Sequence, residues 1–358
     1  MSYKPDVKHL AGQTEAALEQ WARVRGATSG GARALARALL AEFAQRGAGE
    51  RPAQSLLALA RAEFSVELPR AEAVADADGT VRFAVQLDDG KMVETVLIHQ
   101  RENEARAKER WTVCLSSQVG CARGCVFCET GRMGLLRNLQ AHEIVAQYAI
   151  AARHLGQRLR NVVFMGMGEP LDNLEQVVKA IEVLREPAGF AVPERRITVS
   201  TVGIVPKMDE LYARTKAQIA VSLHAIDEQA RRALLPVAKK WPLEMLRRAI
   251  ERAPRPVLLQ WTLIENVNDS ERDADALVHF ARGLQVRVNL IPLNPGPAKD
   301  RRAPPLQKCR AFQKRLADHG VRALLRLPHG QEIGGACGQL AARTASRSAL
   351  VRIAPGCS

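Results

Sequence analysis

From Trp111 onward the chain repeats one pattern: a short run rich in β-branched residues, a longer amphipathic stretch, then another short run. The short runs are WTVCLSS, NVVFMGM, RITVSTV, AQIAVSLH, VLLQWTLI and RVNLIPL, with RALLRLP as a further candidate. Between them, apolar residues at helical spacing predict helices over Ala141–His154, Leu174–Leu184, Lys207–Thr215, Asp227–Leu235, Leu243–Arg252 and Asp273–Arg282. Repeated βα units build a parallel sheet that closes, wholly or in part, into a barrel with its reactive groups at the C-terminal strand ends. The predicted fold class is therefore α/β, a partial (β/α)6-type parallel barrel.

The first part of the chain reads differently. Residues 5–66 carry Ala, Leu, Arg and Glu at helical spacing, broken at Gly30-Gly31 and at Gly47-Ala48-Gly49, which predicts three short helices. Ala73–Thr80 reads as a polar link. Next, VRFAVQL and MVETVLI flank Asp88-Asp89-Gly90, an Asp-Gly turn between two β-rich runs and hence a hairpin. The expected organisation is a helical accessory module over 1–75, a connecting hairpin over 76–100, the barrel over 101–345 and a tail over 346–358.

Lys and Arg outnumber Asp and Glu by 52 to 38, which favours a polyanionic partner, nucleic acid before an anionic membrane surface. An Arg-rich genome produces the same excess, so the placement of the charges has to decide. The densest stretch holds Arg231, Arg232, Lys239, Lys240, Arg247, Arg248, Arg252 and Arg255, and Lys299, Arg301 and Arg302 lie beside a strand end. It reads either as a set of phosphate contacts or as a solvated helix face. No apolar run reaches 18 residues and the start lacks the pattern of a secretory signal, so the expectation is a cytoplasmic protein without a membrane partner. Seven cysteines, an odd number, point to metal or redox chemistry rather than to a secreted disulfide framework.

Three of those cysteines, Cys121, Cys125 and Cys128, lie within eight residues of one loop after a strand. Thiolates are soft ligands for zinc or for iron-sulfur clusters. A closed zinc site needs a fourth ligand, for which Cys114 or His142 would serve. Three clustered thiols instead suit three corners of a cubane and leave one iron open for catalysis. Further along, Phe164-Met-Gly-Met-Gly168-Glu169-Pro170 ends the second strand with glycines that let a ligand approach the backbone. Ser200 ends the third strand, Ser222-Leu223-His224 the fourth, and Asn294 follows the sixth. Small polar groups facing one cavity suit ribose and carboxylate, although singly each is as readily a cap, a turn residue or a core histidine. Glycines flank Cys337 and imply a mobile or tightly folded loop able to bring its thiol to the barrel mouth. Cys114, Cys337, Cys309 and Cys357 all have the plain alternative of buried, inert thiols.

The CxxxCxxC spacing with an aromatic residue before the last cysteine resembles the radical S-adenosylmethionine superfamily. The segments CLSSQVGCARGCVFCETG, FMGMGEPLDN, RRITVSTVGIVPK, VSLHA, LIPLNP and ACGQL, in that order from about Glu94 to Leu340, resemble more narrowly the RlmN and Cfr group of RNA adenosine methyltransferases. That resemblance implies a 4Fe-4S cluster on Cys121, Cys125 and Cys128, its open iron bound by S-adenosylmethionine, with two S-adenosylmethionine molecules used per turnover. Gly168, Glu169, Ser200, Ser222, Leu223, His224 and Asn294 match the group's cofactor-binding positions.

It further implies that Cys337 carries the methyl group as S-methylcysteine, that Cys114 resolves the resulting adduct through a transient disulfide, and that Glu94 is the proton acceptor. The implied product is an adenine methylated on a ring carbon, C2 ahead of C8, in 23S rRNA and also in tRNA. A monomer is expected, served by an electron donor for the cluster and a disulfide reductant. The alternative is a radical enzyme of the same fold acting on a different RNA or on a non-RNA substrate. The chain departs from the group before Cys337, where LPHGQEIGGACGQL lacks the Arg before the first Gly and the Asp-Ala before the Ala-Cys pair.

Overall fold

The computed structural model describes residues 8–47, 51–100, 109–296, 299–341 and 351–352. The chain runs β1 (Lys8–His9), α1 (Glu15–Val24), α2 (Ser29–Phe43), α3 (Gln54–Glu63), β2 (Phe64–Ser65), β3 (Arg70–Ala75), β4 (Val81–Gln86), β5 (Met92–Gln100) and β6 (Arg110–Cys114). There follow β7 (Gln118–Cys121), α4 (Glu129–Arg132), β8 (Gly134–Asn138), α5 (Ala141–Leu155), β9 (Asn161–Phe164), α6 (Leu174–Arg185), β10 (Ile197–Thr201), α7 (Val205–Arg214), β11 (Gln218–Ser222) and α8 (Glu228–Leu234). The last part holds α9 (Leu243–Glu251), β12 (Val257–Leu263), α10 (Glu271–Ala281), β13 (Val286–Pro292), α11 (Leu306–Asp318), β14 (Ala323–Leu325) and β15 (Val351–Arg352).

One sheet of 11 strands organises the described residues, in the order β14-β13-β12-β11-β10-β9-β6-β5-β4-β3-β15. From β6 to β14 all neighbours are parallel, as the βα alternation requires. Val113, Val162, Phe164, Val199, Val221 and Leu259 are fully buried there, because helices cover the outer face of a parallel sheet while its inner face lines the core. The sheet stays open, so the barrel is partial. Local signals set the helix ends: Ser270 and Asp273 form a reciprocal capping box at the start of α10, and Gly156 closes α5 at φ 69°.

The sequence reading is corrected at three points. Ala73–Ala75, read as the start of a polar link, belong to the strand Arg70–Ala75, so the expected hairpin is an antiparallel meander of β3, β4 and β5. The meander continues the barrel sheet through β5 and β6. The alanines of RAEAVA, weak strand formers, hid it. Second, Gly30-Gly31 breaks nothing: both lie in the first turn of α2, where the Thr28 hydroxyl accepts a hydrogen bond from the Gly31 N–H at 3.1 Å. The break falls instead at Gly26, φ 84°. Third, α11 was not expected. The Gly47–Gly49 break and the tail lie mainly outside the described residues, as does Cys357.

The accessory helices dock on the barrel through short contacts. The His9 ring stacks on His142 of α5 at 4.2 Å, the Glu186 carboxylate accepts from the Glu15 N–H at 3.1 Å, and Arg46 donates to the Gly189 carbonyl at 3.0 Å. Among the described residues no helix is long and apolar enough to cross a membrane.

Candidate active site

The C-terminal ends of β9 to β13 face the cysteine loop across one cleft. Cys121 ends β7, and Cys125 and Cys128 follow in the turn before α4. The β7/β8 hairpin holds this loop from one side, and the Val126 N–H donates to the Leu234 carbonyl at 3.2 Å on the other. Within the turn, Cys128 N–H donates to the Cys125 carbonyl and Gly131 N–H to the Cys128 carbonyl, both at 3.1 Å. All three thiols line the cleft. Burial raises their pKa values, that of Cys121 to about 12, and negative charge on neighbours raises them further, from other cysteines of the trio for Cys121 and Cys125 and from Glu129 for Cys128. Thiols so placed are poor free thiolates and gain most from binding a cation.

Neither candidate for a fourth zinc ligand joins them. His142 is stacked against His9, and the sulfur of Cys114 receives the Met165 N–H. Among the described residues no three His, Cys, Asp or Glu side chains close around a single ion. Three soft donors on one wall of a cleft fit an iron-sulfur cluster with one open corner.

Opposite the cysteines stand the expected cofactor-binding residues. Gly168, at φ 100°, packs so close to Gln118 that a β-carbon would lie 2.6 Å from Gln118 Cβ, so only glycine fits. The Glu169 carboxylate accepts from Leu171 N–H at 3.0 Å and Val202 N–H at 2.9 Å. Burial still lifts its pKa to about 7, against those hydrogen bonds. Ser200 donates to Gln260 Oε1 at 3.1 Å, and Ser222 lies beside it on the cleft wall.

His224 takes φ 59°, and its Nδ1 accepts from the Thr262 N–H at 2.9 Å. Burial, followed by the charge of Arg231, lowers its pKa to about 3. Its ring is thus a fixed neutral tautomer with the proton on Nε2. Leu223 does not line the cleft: it is buried below, its N–H bonded to the Gln260 carbonyl at 3.0 Å. Asn294 donates to the Cys337 carbonyl at 3.0 Å while its Oδ1 is buried without a hydrogen-bond partner. An unsatisfied acceptor on the wall is what a cofactor bearing N–H or O–H donors would satisfy.

Of the two further thiols, Cys337 lines the cleft, whereas Cys114 is buried behind Met165 of its wall. Cys114 is buried at the end of β6, and its pKa is raised by burial and then by negative charge on Cys337. Cys337 is open to solvent from the cleft yet set among enough protein that burial raises its pKa, with the nearby Arg326 charge acting in the opposite sense. The glycine-flanked loop is tightly folded. Gly338 takes φ 85°, its carbonyl accepts from Glu129 N–H at 2.8 Å, and Thr130 donates to the Leu340 carbonyl at 2.6 Å.

Glu94 stands behind this loop rather than on the cleft wall: fully buried, it pairs with Arg82 and accepts from Ala341 N–H at 2.7 Å. Arg82 escaped the sequence reading, since an Arg in VRFAVQL alternates as an outward-facing residue would. Gln260 was also missed, although a polar residue inside VLLQWTLI was a signal.

The basic run is largely committed elsewhere. Arg231 is buried and donates to the Val202 carbonyl at 3.1 Å, Arg232 pairs with Glu228, Arg247 with Glu251, Arg248 with Glu244 and Arg252 with Asp209, and Arg255 donates to the Thr215 carbonyl. Arg302 pairs with Glu265. Lys239 and Lys240, in the turn after α8, remain exposed beside the cysteine loop, where Pro236 nears Gly124.

Residues 115–278 match the Radical SAM superfamily. The chain is 45% identical over 306 residues to a probable RNA methyltransferase of Sorangium cellulosum, covering 84% of this chain and 74% of that protein. It is 43% identical over 267 residues to the dual-specificity RNA methyltransferase RlmN of Syntrophotalea carbinolica, covering 74% and 70%. The crystal structure of a radical SAM methyltransferase from Sphaerobacter thermophilus superposes with a TM-score of 0.83 at 37% identity, over 94% of this chain and 100% of that one. A cysteine-lined cleft at the strand ends, together with these likenesses across most of the chain, places it in the radical S-adenosylmethionine superfamily, and within that in the RlmN family of RNA methyltransferases.

Proposed function

We propose that the chain methylates a ring carbon of adenine in RNA, C2 ahead of C8, in 23S rRNA and in tRNA, with Cys337 as the methyl carrier. The observation that supports this most is that Cys337 lines the cleft that holds the cysteine triplet, with Cys114 buried close enough for charge on Cys337 to act on it. A simple hydrogen-abstracting enzyme needs neither thiol.

A 4Fe-4S cluster on Cys121, Cys125 and Cys128, with S-adenosylmethionine against Gly168, Glu169, Ser200, Ser222, His224 and Asn294, would supply an electrophilic methyl group and a one-electron hydrogen abstractor. An adenine ring carbon is too electron-poor to attack a methyl sulfonium, so the methyl passes first to Cys337, whose sulfur is nucleophilic as the thiolate. Loss of one hydrogen atom from the S-methyl group leaves a carbon radical that joins the ring; once the adduct has given up the ring proton and one electron, which the bound cluster would accept, RNA is tethered to Cys337. The Cys114 thiolate attacks the Cys337 sulfur, the carbon-sulfur bond breaks with its electron pair going to the carbon, which takes up a proton to complete the methyl group, and a Cys114–Cys337 disulfide forms for later reduction. Glu94 is the proposed acceptor of the ring proton. Lys239, Lys240, Lys299 and Arg301 are the proposed phosphate contacts, and the target base must leave its stack to enter the cleft.

Anaerobic incubation with rRNA and tRNA, followed by mass mapping of methyladenosines, tests this. Wild type is expected to be active, Cys337→Ala inactive, and Cys114→Ala to accumulate a covalent protein-RNA adduct. Full activity of Cys337→Ala would remove the methyl-carrier role.

A further inference from the structure

The segment that brings Cys337 into the cleft is held unequally at its two ends. After Cys337 the anchors are many: Asn294 on the Cys337 carbonyl, Gln339 Nε2 on the Pro295 carbonyl at 3.0 Å, Glu129 and Thr130 on the Gly338 and Leu340 carbonyls, and Glu94 on the Ala341 N–H. Before it, residues 327–335 run on from β14, half-buried for most of their length. Among the described residues, every hydrogen bond that leaves this stretch ends on one atom, Oδ2 of Asp78, which lies 3.1 Å from Gly330 N and 3.1 Å from His329 Nδ1. The remaining bonds are internal, Gly335 N–H to the Gly330 carbonyl at 2.8 Å and Gly334 N–H to the Gln331 carbonyl at 3.2 Å. Gly330 thus fixes Gly335, two residues before the thiol.

Asp78 is itself well held. It sits in the turn between β3 and β4, where its Oδ1 accepts from Thr80 N–H at 2.8 Å and the Asp76 N–H donates to the Thr80 carbonyl at 2.8 Å. His99, stacked on Trp111 at 4.1 Å, presses its Nδ1 to 3.3 Å from the Asp78 carbonyl and fills the space where Gly79 would carry a β-carbon. Burial works against the Asp78 charge, yet the hydrogen bonds from Thr80, Gly330 and His329 keep its carboxyl below the ordinary aspartate range. The approach is close: Gly330, at φ 64°, would place a β-carbon 2.7 Å from Thr80 Cγ2.

We propose that Asp78 is a positioning residue for Cys337: the β3–β4 turn latches the root of the loop through Gly330 and His329, and so sets where the thiol stands in the cleft. This rests on the methyl-carrier reading above, under which one sulfur must meet a methyl donor, a hydrogen abstractor, a base and Cys114 in turn. A root free to swing would leave the last bonds of the loop intact while the sulfur missed one of these partners.

The test compares cluster-loaded wild type, Asp78→Ala and Asp78→Asn. Three quantities are read: amide hydrogen exchange of residues 330–341, alkylation of Cys337 by iodoacetamide followed by mass spectrometry, and 5′-deoxyadenosine formed per methyladenosine on rRNA. Loss of two hydrogen bonds to a carboxylate predicts about tenfold faster exchange at Gly330 and Gly335 in Asp78→Ala. Cys337 alkylation is expected to change, and more 5′-deoxyadenosine to form per methyl transferred, at unchanged cluster absorbance. Asp78→Asn has one oxygen for the two N–H groups, of Thr80 and Gly330, that the carboxylate serves, and is expected to give exchange and coupling between those of wild type and Asp78→Ala. Exchange and coupling within twofold of wild type in Asp78→Ala, faster exchange in Asp78→Asn than in Asp78→Ala, or faster exchange spread evenly through the barrel would each overturn the latch. An inactive wild type, or an active Cys337→Ala, would instead refute the methyl-carrier reading, and exchange and alkylation would still report on the latch.

Discussion

The Arg82–Glu94 pair offers the sharpest energetic test, because its side chains are only 9% and 1% exposed. At that depth solvent does not screen the interaction, so the small values typical of surface pairs do not apply. Glu94→Gln removes the carboxylate that Arg82 pairs with, and Arg82→Met removes the guanidinium from Glu94, which still accepts from Ala341 N–H. Each single change is expected to cost about 3–5 kcal/mol of stability, and the double variant less than their sum, since the shared interaction is lost only once. Anaerobic urea unfolding followed by tryptophan fluorescence measures the cycle. Costs that add to within about 0.5 kcal/mol would refute the pairing as an energetic unit. The folded double variant then separates a chemical need for the Glu94 carboxylate from its structural one.

Three further outcomes follow from the geometry. Gly168→Ala meets both a left-handed backbone and Gln118 at 2.6 Å, so it should lose about 1–2 kcal/mol from the backbone alone and weaken S-adenosylmethionine binding, read by thermal melting and a binding isotherm. Native His224 stays neutral down to about pH 3, whereas the unfolded chain takes up a proton near 6.5. Stability is therefore complete above that value and falls as the pH drops toward 3, by about 1.4 kcal/mol per pH unit; His224→Gln should flatten the slope of unfolding free energy between pH 6 and 4.5, and an unchanged slope would count against it. Paired Lys239→Ala and Lys240→Ala should weaken RNA binding about equally across sequences and reduce the salt slope by about one per lysine, whereas Arg248→Ala, at a residue already paired with Glu244, should change it far less.

Much of this molecule was legible in its residues, and the parts that were not have physical causes. Parallel strands buried on both faces announce themselves as apolar runs, so all seven expected strands are present in β6 and β9 to β14, with the helices between them displaced by only a residue or two at most ends. Motifs at strand ends were equally readable, because the topology alone carries Gly168, Ser200, Ser222, His224 and Asn294 to one side. Partnerships between distant segments were not. Nothing in VRFAVQL says that Arg82 turns inward to meet Glu94, and nothing in DADGT names Gly330 as its neighbour, 252 residues away along the chain. Charge counting misled for a related reason: the arginines of the Arg231–Arg255 run are taken up by carboxylates and carbonyls of adjacent elements, which a linear reading cannot pair.

The unbroken sheet from β15 to β14 limits how this protein can be divided. A cut after Gln100, where the chain passes from meander to barrel, would bare the flank of β6 as a row of open amides and carbonyls, an invitation to pair with another copy. The excised barrel would also lose both carboxylates that grip the segment around Cys337. What reads as a connector in the sequence is therefore an inseparable wall of the catalytic half, and a minimal functional fragment has to begin no later than β3.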